Sequence, residues 1–137
     1  MQDTSKIRIR STNNIVVLDG NTVKELGIDN YRLMVDTDAM ITDYSSSGTD
    51  YLQTQNPLAY TLSDMNEYKL GFIVENIHEL MPGKKIYSLN DLLIFIDDVV
   101  DGRDKYVKER RVALEKMFKY HDGRSCQRLA EHMGINK

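Results

Sequence analysis

Met40-Ile41-Thr42-Asp43-Tyr44-Ser45-Ser46-Ser47-Gly48-Thr49-Asp50-Tyr51-Leu52 is the stretch from which the rest of the chain is read. The short apolar run from Ala39 to Thr42 ends in an acid, then in three serines and a glycine. A run that is apolar on both faces and only four residues long predicts a central strand of a parallel sheet. The polar residues after it predict a tight turn and then a helix over about Ser46 to Gln53. Ser45 or Ser46 is the expected N-cap, because a hydroxyl there accepts from a free N–H of the first turn. Gly48, between the small Ser47 and Thr49, lets that turn come close to a neighbouring strand or a ligand. A strand feeding a helix whose first turn carries hydroxyls and unpaired N–H groups is suited to a phosphate. It equally suits a plain cap: the stretch has no Walker lysine and no Gly-x-Gly-x-x-Gly.

Around this element the chain alternates. Lys6 to Arg10 predicts an edge strand, broken by Asn13-Asn14, and Ile15 to Leu18 an inner strand closed by Asp19-Gly20. Thr22 to Leu26 predicts a short helix ended by Gly27. Asp29 caps a second helix from Asn30 to about Asp36, with Tyr31, Leu33, Met34 and Val35 on its buried side. After Pro57, Leu58 to Thr61 is another short strand. Asp64 to Leu70 reads as a short helix, Pro82-Gly83 as a turn, and Lys85 to Tyr87 as a last strand. Ser88 with Asp91 resembles a capping box. Leu89, Leu92, Leu93, Ile96, Val99 and Val100 then share a helical face opposite Asp91, Asp97, Asp98 and Asp101, up to Gly102. A further helix over about Asp104 to Tyr120 turns Val107, Leu114, Met117 and Phe118 inward. Ser125 caps a last helix ending near Gly134. Strands alternating with helices predict an α/β fold with a doubly wound parallel sheet.

The 137 residues suit a single domain with one modest core, and 41% hydrophobic with 28% charged residues describes a globular chain. No apolar run reaches the roughly 18 residues of a membrane span. The first residues carry no apolar segment of a signal peptide. The one cysteine, Cys126, excludes an internal disulfide and reads as a small helix residue. His78, His121 and His132 do not stand at metal-ligand spacing, so no metal and no cofactor is expected. No Gly-x-Ser-x-Gly elbow surrounds Ser46, which removes a hydrolase triad. Charge is uneven. Residues 1–102 hold 8 Lys/Arg against 16 Asp/Glu, and residues 103–128 hold 9 against 4. The second segment fits an anionic polymer, an anionic lipid surface or a solvated helix face.

Ile41-Thr42-Asp43-Tyr44-Ser45-Ser46, followed after three residues by Asp50-Tyr51-Leu52, resembles the signature of the CDP-glycerol glycerophosphotransferase family, which builds teichoic-acid-type polymers and related capsules. The resemblance continues through Asn56-Pro57-Leu58, Asp64, Glu67-Tyr68, Gly71-Phe72, Pro82-Gly83 and Asp122-Gly123 to Arg128, roughly residues 15 to 130. It implies a GT-B enzyme, with this chain the C-terminal, partial Rossmann-like portion that binds the nucleotide. By resemblance Ser45 and Ser46 bind the phosphates of CDP-glycerol, Asp50 contacts the donor, and Arg128 matches a family arginine. Ser46 and Asp50 stand four apart, on one side of a helix. A carboxylate beside a pyrophosphate is repelled, so Asp50 is suited either to sugar hydroxyls or to orienting the serine turn. Arg128 is suited to a phosphate or to an acidic neighbour.

No catalytic residue is assigned, because the family's histidine motifs lie upstream of the quoted residues. The chain is therefore expected to be the end of a larger enzyme and incompetent for transfer alone, since donor and acceptor must be brought together. The implied whole enzyme moves glycerol phosphate from CDP-glycerol to an anionic polymer acceptor bound by its other parts, and releases CMP. It works peripherally at the cytoplasmic face of the cell membrane, with no nucleic-acid partner. Two alternatives stand beside this: a GT-B enzyme using a UDP-sugar or CDP-ribitol, and a non-catalytic α/β interaction module in which Ser45-Ser46 is a cap.

Overall fold

A computed structural model describes residues 12–63, 65 and 77–135. They fall into two compact units, one ending at Asp36 and one beginning at Thr37.

In the first unit, side chains of capping residues organise the backbone. Thr12 Oγ1 accepts from the N–H groups of Asn14 and Ile15. Asp19 accepts from the Thr22 N–H at 2.8 Å and opens helix α1, Gly20–Glu25. The helix therefore starts two residues before its expected place. Gly27, with φ +61, reverses the chain in a conformation glycine adopts without strain. Asp29 then accepts from Tyr31 and Arg32 to open α2, Asn30–Val35. Two expectations fail here. Ile15 to Leu18 forms no strand, because a strand needs a paired neighbour and none among the described residues supplies one. Helix α2 buries none of its apolar residues. The expected strand at Lys6 to Arg10 lies outside the described residues, as does the expected helix at Asp64 to Leu70 apart from Met65.

The second unit is an α/β layer. Three parallel strands, β1 (Met40–Thr42), β2 (Leu58–Thr61) and β3 (Lys84–Ile86), lie in chain order. The register sets Thr42 beside Tyr60, and Tyr60 beside Lys85. Leu58, Ala59 and Tyr60 of the middle strand are all buried, the two-sided burial expected of a parallel sheet. Helix α3, Ser46–Tyr51, followed by a 3-10 turn at Leu52–Thr54, carries the chain from β1 to β2. This is the topology expected of part of a Rossmann-like domain.

Ser88 opens helix α4, Leu89–Val100, as the sequence predicts. Its hydroxyl accepts from the Asp91 N–H and donates to Asp91 Oδ2, which also accepts from the Tyr87 N–H. The inward face differs from the expected one. Leu92, Phe95 and Val99 pack with Ala39, Ala59 and Ile86, while Leu89, Leu93, Ile96 and Val100 are exposed. Apolar residues stand on more of the α4 surface than packs against the sheet, and Phe95 is the residue of this helix that is buried. Helix α5, Val107–Met117, buries Arg110 and Ala113, and Val107 stays exposed. Helix α6 is Ser125–His132. Ser125 is its first residue rather than its cap; the turn before it is held by Asp122, which accepts from the Arg124 N–H.

Candidate phosphate-binding turn

The serine turn is built by short polar bonds. Asp43 ends β1, and its carboxylate accepts from the Ser45 N–H at 2.7 Å, an Asx turn that redirects the chain. Ser45 is extended and is the N-cap of α3, accepting from the Ser47 N–H at 3.4 Å. The Ser47 hydroxyl lies 3.1 Å from that of Ser45 and 3.3 Å from that of Thr42, so three hydroxyls form a short chain. Ser45 and Ser46 are both exposed. Among the described residues the Ser46 hydroxyl makes no hydrogen bond, which leaves its donor and both lone pairs for solvent or a ligand. Asp50 is half-buried one turn further on.

The far end of α3 is tied down more firmly. The Tyr51 hydroxyl donates to the Thr37 carbonyl at 3.1 Å, and the Asn56 side chain donates to the same oxygen at 2.9 Å. Gln55 takes a left-handed φ of +60 after the 3-10 turn, and its side chain donates back to Leu52. The guanidinium of Arg110, 1% exposed, donates to the Gln55 carbonyl at 2.9 Å and pairs with Asp104. This pairing holds the Asp104 carboxyl below the usual carboxylate range. An open first turn is thus carried on an anchored last turn, an arrangement that holds a binding group in place at little entropic cost.

Arg128 is placed differently. It donates to both oxygens of Asp122, at 2.9 and 3.0 Å, and its guanidinium stacks 3.9 Å from the centroid of the Tyr120 ring. The pair lowers the Asp122 carboxyl to about 2. Ser45, Ser46 and Asp50 therefore share one helix, while the partners of Arg128 belong to its own corner of the chain. Part of the positive excess after residue 102 is also spent locally. Arg103 and Lys105 pair with Asp98, Arg110 with Asp104, Lys116 with Glu79 and Arg128 with Asp122.

Two residues beneath the turn, buried Tyr60 and half-buried Lys85, were not anticipated from the sequence. Tyr60, 2% exposed, lies beneath Gly48, and burial pushes its phenol well above its ordinary range. Lys85 is held beside the Tyr60 ring by the carbonyls of Met81 and Gly83, and desolvation lowers its ammonium. The sequence signal was the parallel register, which sets Thr42, Tyr60 and Lys85 side by side once the strands are aligned. Arg110 had no such signal, since it lies within a charge-rich run. A separate cavity of about 360 Å³, lined by His78, Glu79, Pro82, Val112, Ala113 and Lys116 among others, includes none of the sequence candidates.

Residues 2–133 match the family model described as CDP-Glycerol:Poly(glycerophosphate) glycerophosphotransferase. The chain is 33% identical over 98 residues to teichoic acid ribitol-phosphate polymerase TarK of Staphylococcus aureus (strain NCTC 8325 / PS 47), a match covering 71% of this chain and 18% of that protein. It is 33% identical over 99 residues to teichoic acid ribitol-phosphate polymerase TarL of the same strain, covering 71% and 17%. To a teichoic acid glycerol-phosphate transferase of that strain it is 26% identical over 98 residues, covering 69% and 25%. The matched part is about a fifth of these relatives' length. With an Asp-Tyr-Ser-Ser turn at the end of a parallel strand and a family match along almost its whole length, the chain belongs to the CDP-glycerol:poly(glycerophosphate) glycerophosphotransferase family.

Proposed function

We propose that this chain is the donor-holding, C-terminal part of a GT-B transferase that moves glycerol phosphate from CDP-glycerol to a growing teichoic-acid-type polymer. In that reaction a polymer hydroxyl forms a new phosphodiester and the bond to the departing CMP breaks. The observation that carries this is the open turn at Ser45-Ser46, exposed and with the Ser46 hydroxyl unpaired among the described residues, on an anchored helix of a family member. Its serine hydroxyls would stabilise charge on the donor phosphates and on the departing CMP. Asp50, one turn below, would accept from donor hydroxyls or steady the turn. Arg128 would reach a phosphate only by leaving Asp122. Acceptor binding and proton transfer fall to parts of the enzyme outside this chain, and we place that enzyme at the cytoplasmic face of the membrane.

A second reading, with CDP-ribitol as donor, is favoured by the two ribitol-phosphate polymerases at 33% identity, against 26% for the glycerol-phosphate transferase. Titration of the chain with CDP-glycerol, CDP-ribitol and a UDP-sugar, followed by the amide signals of residues 45–50, separates the readings. Saturable shifts with CDP-glycerol alone support the first, and stronger ones with CDP-ribitol support the second. A UDP-sugar preference, or silence with all three from a folded chain, overturns both.

A further inference from the structure

We infer that Tyr60 is a positioning residue for the serine turn: its ring is wedged between Gly48 and Gly83 and sets how far the first turn of α3 stands from the sheet. The inference rests on the donor reading above.

Three sides of the ring are defined. A Cβ added to Gly48 would lie 3.1 Å from Tyr60 Cε1 and 3.6 Å from its hydroxyl, so the first turn of α3 rests on one ring edge. A Cβ on Gly83 would lie 3.5 Å from Cε2, on the other edge. It would also come within 2.1 Å of the Leu58 carbonyl oxygen, so Gly83, at φ +155, accepts no side chain without moving β3 from β2. Lys85 Nζ stands 5.1 Å from the ring centroid and donates to the Met81 and Gly83 carbonyls, which closes the third side. Pro82-Gly83 is thereby linked through one aromatic ring to a turn more than thirty positions earlier in the chain.

Position, and not hydroxyl chemistry, is what the ring supplies. The Tyr60 oxygen is buried and has no hydrogen-bond partner among the described residues, an arrangement that costs stability. The hydroxyl is enclosed, so it cannot meet a ligand while Gly48 rests over it. What reaches the serine turn is the height of the ring. The Cβ of an alanine at position 48 would meet the ring at 3.1 Å and the Thr42 γ-methyl at 3.1 Å at once, a fit that asks the turn or these neighbours to give by a few tenths of an ångström. A site whose groups must be held within about 0.5 Å is weakened by a shift approaching that size.

The test uses the full chain, with CDP-glycerol and CDP-ribitol as probes, at temperatures where urea curves show every variant folded. Tyr60→Phe keeps the wedge and is expected to bind within twofold of the parent. Tyr60→Leu removes it and is expected to bind about tenfold more weakly, with shifted amide signals at Ser45 to Ser47 before any ligand is added. Gly48→Ala is expected to do the same, and the pair Gly48→Ala with Tyr60→Leu to bind better than Gly48→Ala alone. Equal loss in Tyr60→Phe and Tyr60→Leu, or unchanged binding in a folded Tyr60→Leu, overturns the inference. If the parent binds neither probe, the donor reading falls instead. The ligand-free amide signals then decide the wedge: unmoved in Gly48→Ala, they overturn it.

Discussion

Arg128 donates to both carboxylate oxygens of Asp122, at 2.9 and 3.0 Å, with Tyr120 stacked against its guanidinium. A planar cation held by a fork of two bonds and an aromatic face is already well satisfied. If Arg128 serves the donor, it has to exchange Asp122 for a phosphate. Asp122→Asn should therefore strengthen donor binding severalfold, and Arg128→Ala should weaken it. Titration of the parent with a CDP-linked donor, beside both variants, checks this. Equal affinities in all three would leave Arg128 a purely local tie.

Acid sensitivity follows from the same chemistry. Arg128 lowers Asp122 to about 2; hydrogen bonds from Arg110 lower Asp104, those from Arg103 and Lys105 lower Asp98, and those from Ser88 lower Asp91. A carboxyl that releases its proton more readily when folded adds stability above the ordinary carboxylate value of about 4. That contribution is lost as pH falls through the depressed value. Urea midpoints should thus be steady near neutrality and fall below about pH 4. Arg128→Ala should move the titration of the Asp122 carboxyl carbon signal upward, toward the ordinary value, with the Arg124 N–H bond still in place, and an unchanged one would contradict the pairing.

Arg110 should be among the costliest residues to replace. Its side chain is buried, it pairs with a partly exposed Asp104, and it satisfies the Gln55 carbonyl. Arg110→Met keeps the volume but leaves that carbonyl and that acid unpaired. A loss of about 3 kcal/mol is expected, the scale for breaking a buried ion pair. Arg111→Met, one position along on an exposed surface, should shift the urea midpoint little.

The two serines should part company. Ser45→Ala removes an N-cap whose bond is long at 3.4 Å and should lower stability by about 0.5–1 kcal/mol. Ser46→Ala removes a hydroxyl with no partner among the described residues and should leave stability unchanged while weakening donor binding several-fold. Thermal melts beside donor titrations test both. A marked drop in melting temperature for Ser46→Ala would show that its work is structural.

Ser88→Ala should cost about 1 kcal/mol, because the hydroxyl caps α4 and positions Asp91 at the same time. Asp91→Asn should cost less, since the cap itself survives. Chemical denaturation of the two variants sets the order, and a reversed order would make the acid the principal element.

What could be read from the sequence was local. Asp29 and Ser88 each cap the helix assigned to them, and Ser45, one of two candidates, caps α3, because a cap depends on residues only two or three positions away; Asp19, read as the close of a strand, caps α1 instead. The strand Leu58 to Thr61 was legible for the same reason, a short apolar run after a proline. What escaped needed the third dimension. Ile15 to Leu18 has the composition of a strand but no paired neighbour among the described residues, and propensity cannot supply one. On α4 the apolar arc was too wide for periodicity to choose a side, and packing chose Phe95. Within the candidate site, Ser45, Ser46 and Asp50 were visible as a motif. Tyr60 and Arg110 were not, since each acts on residues far from it in the chain.

The bond from Arg110 to Gln55 joins positions 55 residues apart, and that spacing has a consequence for synthesis. A chain emerging from the ribosome displays the apolar middle strand well before the cation that fastens the neighbouring turn has been added. Until that codon is translated, the half-made layer is held mainly by neighbours close in the chain, with its strand open to other nascent chains. A slow codon just before position 110 would lengthen this interval, and a fast one would shorten it, without altering a single atom of the finished protein.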